Sequence, residues 1–131
     1  MVVDTSALVA MILREKERFV FDDLILRTPT VVMSVVSVVE TMIVLMSQRR
    51  EPDAARLDET LSELRIDVRG VDGKQGMLAR KAFERYGRGR SPAALNFGDC
   101  FAYALAKARD DTLLFKGEDF SRTDIVPAWR P

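Results

Sequence analysis

The sequence predicts an α/β fold, with helices packed around a mostly parallel sheet. Two observations carry this. Short apolar runs of strand length alternate with segments whose apolar residues recur at helical spacing. The chain has 131 residues with a 47% apolar share, which suits one domain, residues 1–131, built on one hydrophobic core.

The elements follow in order. Met1 to Val3 is an apolar run that reads as a buried strand, ending at Asp4. Asp4, Thr5 and Ser6 supply N-cap side chains for a helix over Ala7 to Leu13. A second helix is expected from about Glu15 to Leu26, and Thr28-Pro29-Thr30 breaks it. Thr30 to Met33 is a second strand, and Ser34 caps an apolar helix reaching about Gln48. The stretch from Thr30 to Ser47 is apolar enough to raise a membrane span, but Glu40, Ser34, Ser37 and Thr41 dilute it. A strand followed by a buried helix is the better reading. Pro52 stands near the first turn of a helix carrying Ala54, Leu57, Leu61 and Leu64. Ile66 and Val68 flank Asp67 in a short strand, and Asp72 opens a helix to about Tyr86. Gly87 to Phe97 reads as a loop. Gly98-Asp99 begins a helix with Phe101, Leu105 and Ala108 on one face. Thr112 to Phe115 is a strand, Gly117 to Ser121 a turn, Ile125-Val126 a final strand, and the rest a tail.

Composition excludes several chemistries. There is no His, which removes His-ligated zinc and the serine triad. The one Cys, Cys100, allows no internal disulfide and reads as a small buried hydrophobe. No secretory signal precedes Asp4, so a cytoplasmic location is expected. Lys+Arg and Asp+Glu are both 20, and a zero net charge neither favours nor disfavours a nucleic-acid partner.

In parallel sheets ligands bind beyond the carboxyl ends of the strands, so acids there are informative. Asp4 ends the first strand; alone it reads equally as an N-cap. Glu40 lies among Val36, Val39, Ile43 and Val44, which leave little room for an exposed stripe; a carboxylate on a buried helix calls for a compensating charge, and a Glu on one narrow exposed stripe is the plain alternative. Asp99 starts a helix, where the macrodipole favours an acid in any case. Asp119 follows the strand TLLF within KGEDF and reads as a turn residue or a site acid; Glu118 and Asp124 could replace it. Converging carboxylates repel one another unless cations neutralise them. Mg²⁺ or Mn²⁺ suits a ligand set of hard oxygens without thiolate or imidazole. Such a centre hydrolyses phosphodiesters without a protein nucleophile.

The segments VVDTSALVA (2–10), Ser34 to Glu40, LNFGDCFAYALAKA (95–108) and LLFKGEDFSRTDI (113–125) together resemble the VapC-like PIN domains. They span nearly the whole chain in that family's order. The resemblance implies a three-layer α/β/α domain with sheet order 3-2-1-4-5. It implies a metal-dependent endoribonuclease, the toxin of a type II toxin–antitoxin pair, with an RNA substrate, a VapB-type antitoxin and a homodimeric state. It assigns the Mg²⁺ or Mn²⁺ ligands to Asp4, Glu40, Asp99 and Asp119. Thr5 or Ser6 would orient the site, and Asn96 would hold the loop or a water. The sequence departs from the family in the Val- and Met-rich segment before Glu40 and in Ser91, where many relatives carry His.

Arg85, Arg88 and Arg90 form the strongest local positive cluster and, with Lys116, are candidate contacts for RNA phosphates; a solvated surface is the plain alternative. Tyr86 and Phe97 read as core or loop anchors, with base stacking as the functional alternative. Met42 and Met46 suit a core or a dimer face. Three rival functions conflict with the residues. A receiver-like phosphotransfer domain shares an early Asp and a late Lys, but it wants paired acids at Asp4 and a phosphoacceptor after the third strand. A haloacid-dehalogenase phosphatase wants Asp where Ser6 stands. A non-catalytic PIN-like binding module would be expected to have lost acids, and all four are present.

Overall fold

The computed structural model describes all 131 residues. In chain order the elements are β1 (Val2–Val3), α1 (Thr5–Ile12), α2 (Arg18–Arg27), β2 (Val31–Ser34), α3 (Val35–Ser47), α4 (Glu51–Ala55), α5 (Leu57–Glu63), β3 (Ile66–Arg69), α6 (Gly73–Tyr86), α7 (Phe97–Arg109) and β4 (Leu113–Leu114), followed by a 3-10 turn over Phe120–Arg122. The strands form one parallel sheet in the order β3-β2-β1-β4.

Alternation along the strands builds two cores. Val2, Val32 and Leu113 face the layer made by α6 and α7. Val3, Val31, Met33 and Leu114 face the opposite layer, where α1 and α2 bring Leu8, Phe21 and Ile25 and α5 brings Leu57 and Leu61. With helices on both faces, β1 and β2 are buried at every position, which is why they read as unbroken apolar runs. β3 lies at the edge; only Ile66 is buried, and Asp67 and Arg69 point charge along the exposed side. The three-layer α/β architecture expected from the sequence is present.

The expected fifth strand is reduced to a single bridge, Leu113↔Pro127, at the position beside β4. The Leu113 N–H donates to the Val126 carbonyl at 3.0 Å and the Ala128 N–H to the Leu113 carbonyl at 2.8 Å. Proline has no N–H to carry a ladder further. The helix expected over Ala54 to Leu64 is two helices, interrupted at Arg56, where ψ is 10°. α2 begins at Arg18 rather than Glu15, because the turn after α1 places Arg14 at φ 57°. The tail docks on the fold: the Trp129 ring meets Phe21 edge-on, with centroids 5.3 Å apart. No helix is long and apolar enough to cross a membrane. α3 ends after 13 residues.

Candidate metal centre

Asp4 leaves β1 at the carboxyl edge of the sheet, between β2 and β4. It serves as cap and candidate ligand at once, with one oxygen for each role. The Ser6 amide donates to Asp4 Oδ2 at 2.9 Å and the Ser6 hydroxyl at 2.6 Å. The Lys116 N–H donates in turn to Ser6 Oγ at 3.0 Å, so the end of β4 braces the cap. Asp4 Oδ1 is buried without any partner, and the residue as a whole is 2% exposed. A buried carboxylate oxygen without a partner is costly unless a cation or water meets it.

Asp99 sits in the first turn of α7. Asn96 and Asp99 form a capping box: the Asp99 N–H donates to Asn96 Oδ1 and the Asn96 N–H to Asp99 Oδ2, both at 2.9 Å. Asn96 therefore orients Asp99 directly, a more definite role than holding a loop or water.

Glu40 stands mid-way along α3, half-buried. Its carboxylate fills the space over Gly98: a Cβ there would lie 2.5 Å from Glu40 Cδ and 2.8 Å from Oε1, and closer still to Oε2. α3 is anchored one turn before Glu40. The Ser37 carbonyl accepts the hydroxyls of Thr5 at 3.1 Å and Thr41 at 2.8 Å. Ser37 and Thr41, two of the small polar residues that diluted the apolar run, thus join Thr5 in a buried seam between α1 and α3. The expectation that α3 is buried all round is corrected, because Val35, Val39, Ile43 and Met46 are exposed along one side.

The charges of these acids act on one another. Burial is the main cause lifting the Asp4 carboxyl to about 6; the Ser6 hydroxyl and amide oppose this, and the Glu40 charge adds to it. Burial also lifts Asp99, to about 7, against the Asn96 amide, with Asp4, Glu40 and Asp119 each adding repulsion. Asp119 lies exposed at the start of the 3-10 turn, near enough for its charge to reach Asp99. The alternatives to Asp119 are otherwise engaged. Asp124 accepts from the Tyr103 hydroxyl at 2.8 Å and Lys107 at 3.1 Å, and Glu118 lies 3.8 Å from Arg122.

No trio of acidic or thiol side chains is close enough to enclose an ion outright. The donor set nevertheless fits a hard divalent cation. Mg²⁺ keeps several waters and needs only one or two direct carboxylates, and Asp4 Oδ1 is a ready one. Cys100 offers no competing chemistry, since burial pushes its thiol up to about 11.

Two of the four basic candidates are already paired. Lys116 forms ion pairs with Glu15 and Glu17. Arg85 lies over the Tyr86 ring and 3.9 Å from Asp124. Arg88 and Arg90 have no carboxylate partner; Arg90 donates to the Glu84 carbonyl at 3.0 Å. Tyr86 is a core residue as expected, whereas Phe97 is not an anchor but projects 73% exposed.

Residues 1–126 match the PIN domain family. The chain is 45% identical over 126 residues to a ribonuclease VapC of Mycolicibacterium smegmatis, covering 96% of this chain and 98% of that one. The chain belongs to the PIN-domain family, among the VapC ribonucleases. It is also 43% identical to ribonuclease VapC30 of Mycobacterium tuberculosis over the full length of both chains. The crystal structure of Mycobacterium tuberculosis VapC20, described as a sarcin–ricin loop cleaving toxin, superposes with a TM-score of 0.79. It is 20% identical over 99% of this chain and 98% of that one. A toxin–antitoxin complex from Klebsiella pneumoniae contains a chain of the same PIN fold, with a TM-score of 0.69 and 15% identity.

Proposed function

We propose that this chain is an endoribonuclease, the toxin of a toxin–antitoxin pair, and that it hydrolyses RNA phosphodiester bonds with Mg²⁺ or Mn²⁺ held by Asp4, Glu40, Asp99 and Asp119. The observation that carries the proposal is the unpartnered, buried Asp4 Oδ1, in a space where burial first, and neighbouring carboxylates second, lift both Asp4 and Asp99. The bound cation supplies an acidified water and charge compensation for the phosphate. The chain's own residues supply the placement. Ser6 clamps Asp4 Oδ2 and leaves Oδ1 free, Asn96 fixes Asp99, and the Thr5–Ser37–Thr41 seam fixes the level of Glu40. Asp119 adds charge from the rim.

The partners we propose are a VapB-type antitoxin that silences the site, and a second copy of the chain. The exposed apolar stripe of α3, Val35, Val39, Ile43 and Met46, suits the homodimer contact. The protein acts in the cytoplasm, where its RNA substrate is found.

The test is cleavage of a structured RNA mixture by purified protein, beside a melting curve. Cleavage that starts with Mg²⁺ or Mn²⁺ and stops with EDTA, together with a melting temperature raised by Mn²⁺, supports the proposal. A protein that neither cleaves nor gains stability from Mn²⁺ is a binding module instead.

A further inference from the structure

The groove between α6 and α7 has no role in the metal centre. Its inner part is an apolar cleft of about 340 Å³ lined by Ala79, Phe83, Phe97, Cys100 and Phe101. A second cleft of about 440 Å³, bordered by Arg80, Lys81, Arg90 and one carboxylate, Glu84, continues it; Arg80 and Phe83 line both. The groove is therefore aromatic at one end and cationic at the other. No carboxylate pairs with Arg80, Lys81 or Arg90; Arg14, Arg49, Arg65 and Arg88 are also unpaired, so what sets this place apart is three such cations grouped beside an aromatic cleft. The Phe97 ring is 73% exposed and meets Phe101 edge-on at 5.0 Å, which leaves a face open. Phe97 is also two residues from Asp99, in the same turn of α7.

Resting on the ribonuclease reading above, we propose that this groove is a substrate subsite: it takes an unstacked nucleobase of single-stranded RNA against Phe97, with the adjoining phosphates on Arg80 and Arg90. A purely apolar partner would face three cations with only Glu84 beside them to offset the charge. A nucleotide strand presents a flat apolar base and an anionic linkage at neighbouring positions, matching both ends of the groove. Of the basic residues singled out in the sequence, Arg90 borders this groove. Arg85 and Lys116 are consumed by carboxylates, and Arg80 and Lys81 on α6 are free.

The experiment is fluorescence anisotropy with a labelled random-sequence RNA octamer in EDTA, on the full chain, as a function of salt. Phe97→Ala is expected to weaken binding about tenfold, and Phe97→Trp to retain it. Arg80→Gln with Arg90→Gln is expected to flatten the slope of log K against log salt by about 0.7 for each phosphate that is no longer neutralised. The variants replace exposed side chains, and unchanged melting curves check that they fold. Binding equal to wild type in both sets overturns the subsite while leaving the ribonuclease reading intact, provided wild type still cleaves. Unchanged binding with a change of mass by light scattering in Phe97→Ala overturns it in favour of a contact between copies. A wild-type protein that neither binds the octamer nor cleaves RNA with Mn²⁺ overturns both.

Discussion

Gly98 determines where Glu40 can stand. The carboxylate occupies the volume that a Cβ on Gly98 would need, and the clashing atoms are the far end of a flexible side chain. Alanine is also a better helix former than glycine. Gly98→Ala is therefore expected to melt no lower than wild type while displacing Glu40, with metal-dependent cleavage down by at least about tenfold. A melting curve beside a cleavage rate separates the two effects, and a fully active Gly98→Ala protein would show that Glu40 does not need this position. At this scale the acids were legible, because each stands where a strand ends, where a helix starts or inside an apolar run. The constraint on Gly98 was not, since it depends on α3 crossing the first turn of α7. Nor was the capture of Lys116 by Glu15, which lies 101 residues earlier in the chain.

α3 does two jobs on two faces. One side carries the seam that anchors it to α1, and another exposes Val35, Val39, Ile43 and Met46 at spacings of four, four and three residues, a helical stripe. Ile43→Glu is expected to leave the fold intact and shift the mass by light scattering from two chains to one. A monomeric wild type would contradict the dimer at once. The sequence showed α3 as apolar but not which side was covered, since periodicity cannot tell a core face from an interface. The elements around it were read well where caps mark the starts: Asp4, Ser34 and Asp72 each accept a backbone N–H at the head of a helix, whereas Asn96, read as part of a loop, caps α7. Reading failed where tertiary packing decides, as at Arg56, which interrupts a helical pattern, and at Pro127, which limits the fifth strand to a bridge.

Across the whole molecule, the acid pair imposes a dependence of stability on pH. Asp4 and Asp99 have folded pKa values near 6 and 7, raised from 3.8. The native state thus binds more protons than the unfolded chain above about pH 4, and their stabilising contribution is lost as pH rises through about 6 to 7. Asp111 and Asp124 act in the opposite sense and only at more acidic pH. Partial burial raises them, but hydrogen bonds from the N-terminal amine in one case, and from Tyr103 and Lys107 in the other, outweigh it and leave both lowered. In EDTA the melting temperature is expected to fall between pH 5 and about 8, less steeply in Asp99→Asn; Mn²⁺ should reverse the fall by compensating the ionised pair. An identical pH slope in Asp99→Asn would show that burial and its neighbours do not raise the Asp99 carboxyl. The central claim, that these acids act together as one metal-dependent nuclease centre, is tested most directly by single-turnover RNA cleavage in Mn²⁺ by wild type, Asp4→Asn and Asp99→Asn side by side. Cleavage by wild type alone, abolished by EDTA, is the expected result; cleavage that persists in either variant, or in EDTA, would contradict a shared metal-dependent centre.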